Sequence, residues 1–278
     1  MTRIDPNNIA PDILDWVEEA LKKDQPPPLV RDRLKAYGYS HDVIVNAMQD
    51  HYPDDSVQMH MCRDFQSLAN IKLVQSPDSF GAKKVDHTDA QIYTIDNFID
   101  EETCNELAEL CRANSRPSST DIGMTTKRTS STCDLFNYHG EVVSRLNNKI
   151  AETLGLNLNY SEVTQGQVYK IQQEFKKHPD WQTDDTIKTL EQQSRLSGQR
   201  TWTFTVYLNK PRRGGETEFT DLGISIAPER GKALMWNNLL PNGQRNMMTM
   251  HRGCPVEKGS KIILTKWFRQ HGFGEIFI

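Results

Sequence analysis

The sequence predicts an α+β domain whose antiparallel strands close into a barrel or jelly roll, and three observations carry that expectation. Two stretches with apolar residues at helical spacing come first, one around Leu107 and one around Leu146. From about residue 163 onward the apolar period shortens to two. Glycine and proline turns then cut the chain into short runs, and strands joined by tight turns pair antiparallel and close on themselves to protect their edges.

Ahead of that domain the chain divides in two. Residues 1–56 read as a small helical module. Ile13, Leu14, Val17, Ala20 and Leu21 recur at helical spacing, and Pro26, Pro27 and Pro28 interrupt them. Val30, Leu34 and Tyr37 then lead to a stop at Gly38, and Ser40 is placed to cap a helix carrying Val43, Ile44 and Ala47. The stretch RLKAYGYSHDVIVNAMQ is similar to ubiquitin-associated three-helix modules, so a protein partner is one expectation beside the plainer one of a helical cap. Residues 57–90 mix Pro, Asp, Ser and Lys around one helical stretch, Met59 to Leu68, as a linker or docking segment does.

Residues 91–278 form the main domain. Tyr93, Ile95 and Phe98 suggest a strand, and Asp100 can cap a helix through Leu107, Leu110 and Cys111. Cys104 and Cys111 share a face of that helix and are expected to be buried thiols. A second helix spans residues 140–155 with Val142, Val143, Leu146, Ile150 and Leu154 on one side and Gly155 as its stop. Strands are expected at Val163 to Ile171, Thr201 to Leu208, Ile224 to Ala227, Ala233 to Trp236 and Ile262 to Phe268.

Composition narrows the function. The 278 residues, 36% of them hydrophobic, suffice for one sizeable core and an appendage. A net charge of -4 gives no overall attraction for nucleic acid or anionic membrane. The N-terminus lacks a basic region followed by an apolar one, and no run approaches the ~20 apolar residues of a membrane helix, so a cytoplasmic location is expected. The five cysteines are scattered without a CxxC pair, which suits reduced thiols.

The chemistry concentrates in a few positions. His178 and Asp180 stand two apart, so on a strand both side chains would share one face and one metal ion. With eight histidines in the chain, a chance His-x-Asp on a surface loop competes with that reading. His251, in a polar, turn-rich stretch, can complete a two-histidine, one-carboxylate set, which leaves open positions on iron(II) for a 2-oxo acid and dioxygen. Ten residues on, Lys261 opens the last strand on the same alternating face as Thr265 and Trp267. It is placed to hold the distal carboxylate of 2-oxoglutarate. Thr203 and Tyr207 add hydroxyl donors on a strand whose other face is apolar.

Over roughly Ile92 to Gln270 these features resemble the prolyl 4-hydroxylase-like 2-oxoglutarate and iron(II) dioxygenases. The resemblance rests on NFIDEETC at 97–104, RTSS at 128–131, His178-x-Asp180, GQR at 198–200, Tyr207-Leu208-Asn209, GGET at 214–217, Phe219, HRGCPV at 251–256, Lys261 and Thr265-Lys266-Trp267. It implies a double-stranded β-helix, with His178, Asp180 and His251 on iron and Lys261 on the 2-oxoglutarate carboxylate. Tyr169, nine residues before His178, matches a tyrosine that reaches toward the cosubstrate. It further implies hydroxylation of an unactivated C–H bond, release of succinate and carbon dioxide, and ascorbate as the reductant. Halogenating relatives lack the carboxylate that Asp180 supplies, so hydroxylation is expected. Two departures stand out: Phe175 replaces a frequent tyrosine, and QQEFKK lacks the usual glycine.

Three functions follow as expectations. The first is hydroxylation of a prolyl residue in a cytosolic peptide or protein. The second is the same chemistry on a small metabolite such as an amino acid or sugar, with Lys210, Arg212 and Arg213 as a rim for an acidic substrate or merely a solvated hairpin tip. The third is a binding or oxygen-sensing role with little turnover. The polar segment 181–197 is a candidate lid, and Trp236 and Trp267 are candidate cavity walls or core.

Overall fold

The computed structural model describes residues 11–22, 27–36, 38–52, 65–118, 128–136, 140–183 and 198–270. Cys62, residues 184–197 of the expected lid and most of the helix expected at Met59 to Leu68 lie outside these. Among the described residues no helix is long and apolar enough to cross a membrane.

Helices α1 (Pro11–Lys22), α2 (Pro27–Ala36) and α3 (His41–Met48) bury Val17, Ala20, Val30, Leu34, Tyr39, Ile44 and Met48 in a core of their own. Pro27 begins α2, where a missing N–H removes no helical bond. Ser40 precedes α3 with extended backbone, but its side chain makes no capping bond, so α3 is held by packing rather than by the expected cap. Two short helices follow, α4 (Phe65–Ala69) and α5 (Lys72–Gln75). Their Leu68, Ile71 and Leu73 join the main core, and Leu68 also accepts the indole N–H of Trp202 at 2.7 Å. Residues 65–84 are therefore docked on the main domain.

Helix α6 (Glu101–Asn114) starts as the sequence predicts, with Asp100 accepting from the Thr103 N–H at 2.8 Å. Helix α7 (Glu141–Leu154) stops at Gly155, whose φ of +70° an L side chain rarely adopts. Among the described residues fourteen strands complete the fold. They are β1 (Ala82–Lys84), β2 (Ile92–Ile95), β3 (Arg116–Pro117), β4 (Ser131–Leu135), β5 (Thr164–Tyr169), β6 (Phe175–His178) and β7 (Arg200–Tyr207). After them come β8 (Arg213–Gly214), β9 (Thr217–Phe219), β10 (Ile224–Ile226), β11 (Ala233–Asn237), β12 (His251–Gly253), β13 (Val256–Lys258) and β14 (Lys261–Arg269).

Eight strands form one antiparallel sheet in the order β1-β2-β11-β7-β14-β5-β4-β3, and four form a second in the order β10-β9-β12-β6. This is a double-stranded β-helix, with the helices α6 and α7 packed on the outer face of the larger sheet. Side chains alternate accordingly. Ala233 and Met235 of β11 face the helices, whereas Leu234 and Trp236 face the space between the sheets. In β14, Ile262 and Leu264 face the helices, and Ile263 joins the inner cluster. Both faces of β7 and β14 are thus covered, so the charges they carry, Arg200, Lys261, Lys266 and Arg269, are informative.

Candidate active site

The site lies between the two sheets. His178 ends β6 and is the cross-strand partner of His251, which opens β12. The sequence placed His251 in a turn-rich stretch and His178-x-Asp180 along one strand. Instead β6 stops at His178, and Asp180 sits in the bend that follows, turned back so that its Oδ1 is 4.0 Å from His178 Nε2 and 3.9 Å from His251 Nε2. One ligand atom from each of the three residues lies within 4.8 Å of the others. The strand pairing, not the period of two, brings the ligands together.

Each imidazole is oriented by its other nitrogen. His178 Nδ1 is 2.7 Å from the Lys176 carbonyl and His251 Nδ1 is 3.0 Å from the Thr249 carbonyl, so Nδ1 carries the proton and the Nε2 lone pair is left for the cluster. Phe175 stacks on His178 with ring centroids 3.5 Å apart, and Trp236 meets His251 in a T-shaped contact with centroids 4.8 Å apart. Burial, and then the neighbouring His251, push the His178 imidazole down to about 3. Burial alone would raise Asp180, but the charges of His251, His178 and Arg200 hold it below the usual carboxylate range. A neutral His178 and an ionised Asp180 at neutral pH are in the state a metal ion needs.

At the other end of the same cavity stands Lys261, 1% exposed, opposite Tyr169 in the β14–β5 pairing. Its Nζ lies 5.1 Å from the centre of the Tyr169 ring and 6.0 Å from that of Tyr207, and donates to the Gly215 carbonyl at 2.8 Å. Among the described residues no carboxylate pairs with it. Burial pushes Lys261 down to about 8. A buried ammonium without a counter-charge is costly, and a dicarboxylate is the partner it lacks. Gln167, Thr205, Ile263, Thr265 and Trp267 line the cavity between this lysine and the histidines.

The three expected hydroxyl residues each have their own partner. The Thr203 hydroxyl donates to Asp180 Oδ2 at 2.7 Å. Tyr207 donates to Thr217 Oγ1 at 2.8 Å and offers Lys261 its ring. Tyr169 donates to Gln167 Oε1 at 2.6 Å. Two arginines within quoted motifs had been given no role. Arg128 lies 5.1 Å over the Phe175 ring and donates to Ser130 and Gln165, and Arg200 lies 4.1 Å over Trp267 while gripping buried Glu162 with two bonds of 2.6 Å. Trp267 itself lines the cavity, and its buried indole N–H has no hydrogen-bond partner among the described residues. The one charge on β7, Arg200, ahead of alternating threonines and apolar residues, was the available signal for this corner.

The donor set fits iron(II): two imidazole nitrogens on the paired strands β6 and β12 and one carboxylate in the bend after β6, with Lys261 lacking a paired anion in the same cavity. Residues 164–269 match the 2OG-Fe(II) oxygenase superfamily, whose members use iron(II), 2-oxoglutarate and dioxygen. The chain is 31% identical over 221 residues to prolyl 4-hydroxylase subunit alpha-1 of Gallus gallus, covering 76% of this chain and 41% of that protein. It is 29% identical over 218 residues to the Homo sapiens subunit, covering 76% and 40%. The chain thus spans about two fifths of the length of these relatives. Among solved structures it is similar to the viral collagen prolyl hydroxylase of Paramecium Bursaria Chlorella virus-1 with 2OG, at 26% identity and a TM-score of 0.52, covering 64% of this chain and 95% of that one. The fold alone is shared with a Trichoplax adhaerens prolyl hydroxylase bound to a hypoxia inducible factor peptide, at 14% identity and a TM-score of 0.50, covering 78% and 94%. Residues 164–269 thus carry the match to the 2OG-Fe(II) oxygenase superfamily, and the chain as a whole is prolyl 4-hydroxylase-like.

Proposed function

We propose that this protein hydroxylates an unactivated C–H bond of a prolyl residue in a peptide or protein, using iron(II), 2-oxoglutarate and dioxygen. The observation that carries the reading is a single cavity with a His-Asp-His cluster at one end and an unneutralised buried lysine at the other. Relatives named as prolyl hydroxylases support the choice of a prolyl substrate.

His178, Asp180 and His251 would hold the iron, and Lys261 would hold the distal carboxylate of 2-oxoglutarate, flanked by the rings of Tyr169 and Tyr207. With its cosubstrates bound, the centre supplies the oxidation, with 2-oxoglutarate leaving as succinate and carbon dioxide. The chain's own contribution is placement. Trp236, Phe175 and Trp267 wall the cavity and keep water from the reacting carbon, while Arg200 keeps the Trp267 ring flat against itself. Four cysteines, Cys104, Cys111, Cys133 and Cys254, are free and buried, which supports the proposed cytoplasmic location.

Incubation of the iron-loaded protein with proline-containing peptides and a metabolite pool, read by mass spectrometry, tests the assignment. A gain of about 16 Da on a peptide prolyl residue, equimolar with succinate and absent in His178→Ala, is the expected result. A modified metabolite with unmodified peptides would overturn the substrate class, and succinate-free incubations would overturn the activity.

A further inference from the structure

Asp180 has two oxygens, and the structure treats them differently. Oδ1 faces both imidazole Nε2 atoms at 4.0 and 3.9 Å, whereas Oδ2 is engaged by the Thr203 hydroxyl at 2.7 Å. That hydroxyl has no freedom to turn away, and the reason can be followed back through two more residues. The Trp236 indole N–H can only donate, and it points at the Asn238 side chain, so the atom that meets it at 2.8 Å is the amide oxygen Oδ1. The amide nitrogen of Asn238 therefore faces Thr203 and donates to its oxygen at 2.8 Å. With its oxygen accepting from Asn238, Thr203 directs its own proton to Asp180. All four side chains are buried, so water does not compete for these bonds.

The start of the relay is fixed as well. Asn238 is pinned by its backbone, which donates to the Thr201 carbonyl at 2.6 Å and accepts from the Asn246 N–H at 3.0 Å. Trp236 is held in β11 and its ring meets that of His251 in a T-shaped contact, 4.8 Å between centroids. One tryptophan thus touches one ligand with its ring and reaches a second through its N–H.

We propose that Trp236 and Asn238 are positioning residues of the metal centre, which through Thr203 hold Asp180 Oδ2 out of the cluster and leave Oδ1 alone to face an ion. This rests on the reading given under Proposed function. Neither residue contacts the place an ion would take through a donor atom; both act through Asp180, and Trp236 also through the packing of His251.

The test is an anaerobic titration of the metal-free, full-length protein with cobalt(II), reading affinity and the visible spectrum of the bound ion, with the melting temperature of each metal-free variant measured alongside. Asn238→Ala and Thr203→Val should weaken cobalt binding roughly 10–100-fold and alter the spectrum, whereas Thr203→Ser, which restores the hydroxyl, should stay within about threefold of wild type. Trp236→Phe keeps the ring on His251 and removes the N–H, so it should shift the same spectrum in the same direction. Should Asn238→Ala fail to fold, the contrast between Thr203→Val and Thr203→Ser, with Trp236→Phe, carries the test. Wild-type affinity and spectrum in the folded variants, in a protein whose cobalt binding is lost in His178→Ala, would overturn the relay and leave the metal centre standing. A wild type that takes up no cobalt, or keeps it in His178→Ala, would overturn the metal centre and the relay with it.

Discussion

Lys261 shows how one residue's charge can be read as a function. It is fully enclosed, donates to a single carbonyl and lies between two tyrosine rings, so burial lowers its pKa to about 8 from the usual 10.5. The sign follows from linkage. Below about pH 8 the folded protein carries a penalised ammonium, and between 8 and 10.5 the folded state sheds that proton while the unfolded chain keeps it. This group alone therefore makes the cosubstrate-free protein gain stability as pH rises through that window. A bound dicarboxylate favours the ammonium, so 2-oxoglutarate binding should take up a proton at pH 8.5 and weaken as pH rises further. Calorimetry in two buffers of different ionisation enthalpy checks this: uptake in wild type and none in Lys261→Met is expected, and equal heats in both buffers would contradict it. Removing the amine should cost about 2 kcal/mol or more of 2-oxoglutarate affinity, roughly thirtyfold.

Among the elements, the β5 strand shows how tightly the sheet is fitted to its helix. Gly166 faces α6, and a Cβ there would lie 2.5 Å from both the Cys111 and the Cys133 sulfur. The backbone must come this close because two thiols, one from α6 and one from β4, already fill the gap. Gly166→Ala should destabilise the fold by about 1–3 kcal/mol in denaturant titration, and an unchanged midpoint would show the gap to be looser than described. Elements of this kind set the limit of what could be read. The strands β5, β7, β11 and β14 were legible because they run five to nine residues, β7 alternating threonine with apolar residues and β11 and β14 holding apolar runs, and α6 and α7 because each has a helical stripe and a stop. The strands β6, β9 and β12 run three or four residues, too short for a period to show. Two of these carry the histidines, so the residues of the site were legible while their arrangement was not. Thr203 illustrates the same limit: its sequence showed a hydroxyl on an inner face, but only the pairing of β7 beside β11 turns it toward Asp180.

For the molecule as a whole, three cores among the described residues divide the work. The N-terminal helices close on themselves, the helices α6 and α7 brace the outer face of the large sheet, and the inner cluster between the sheets leaves the cavity that holds the candidate site. The order and spacing of motifs along residues 92–270 pointed to this architecture: His178-x-Asp180, HRGCPV and Lys261 fall at the cavity between the sheets, whereas NFIDEETC opens α6 on the outer face. The central claim is that one end of the cavity holds iron and the other holds a dicarboxylate. Anaerobic titration of the metal-free protein with iron(II) and then 2-oxoglutarate, watched for the weak visible charge-transfer band of the chelate, tests it most directly. A band that vanishes in His178→Ala and needs far more 2-oxoglutarate in Lys261→Ala is the expected result, and a folded, iron-loaded wild type without that band would contradict the claim.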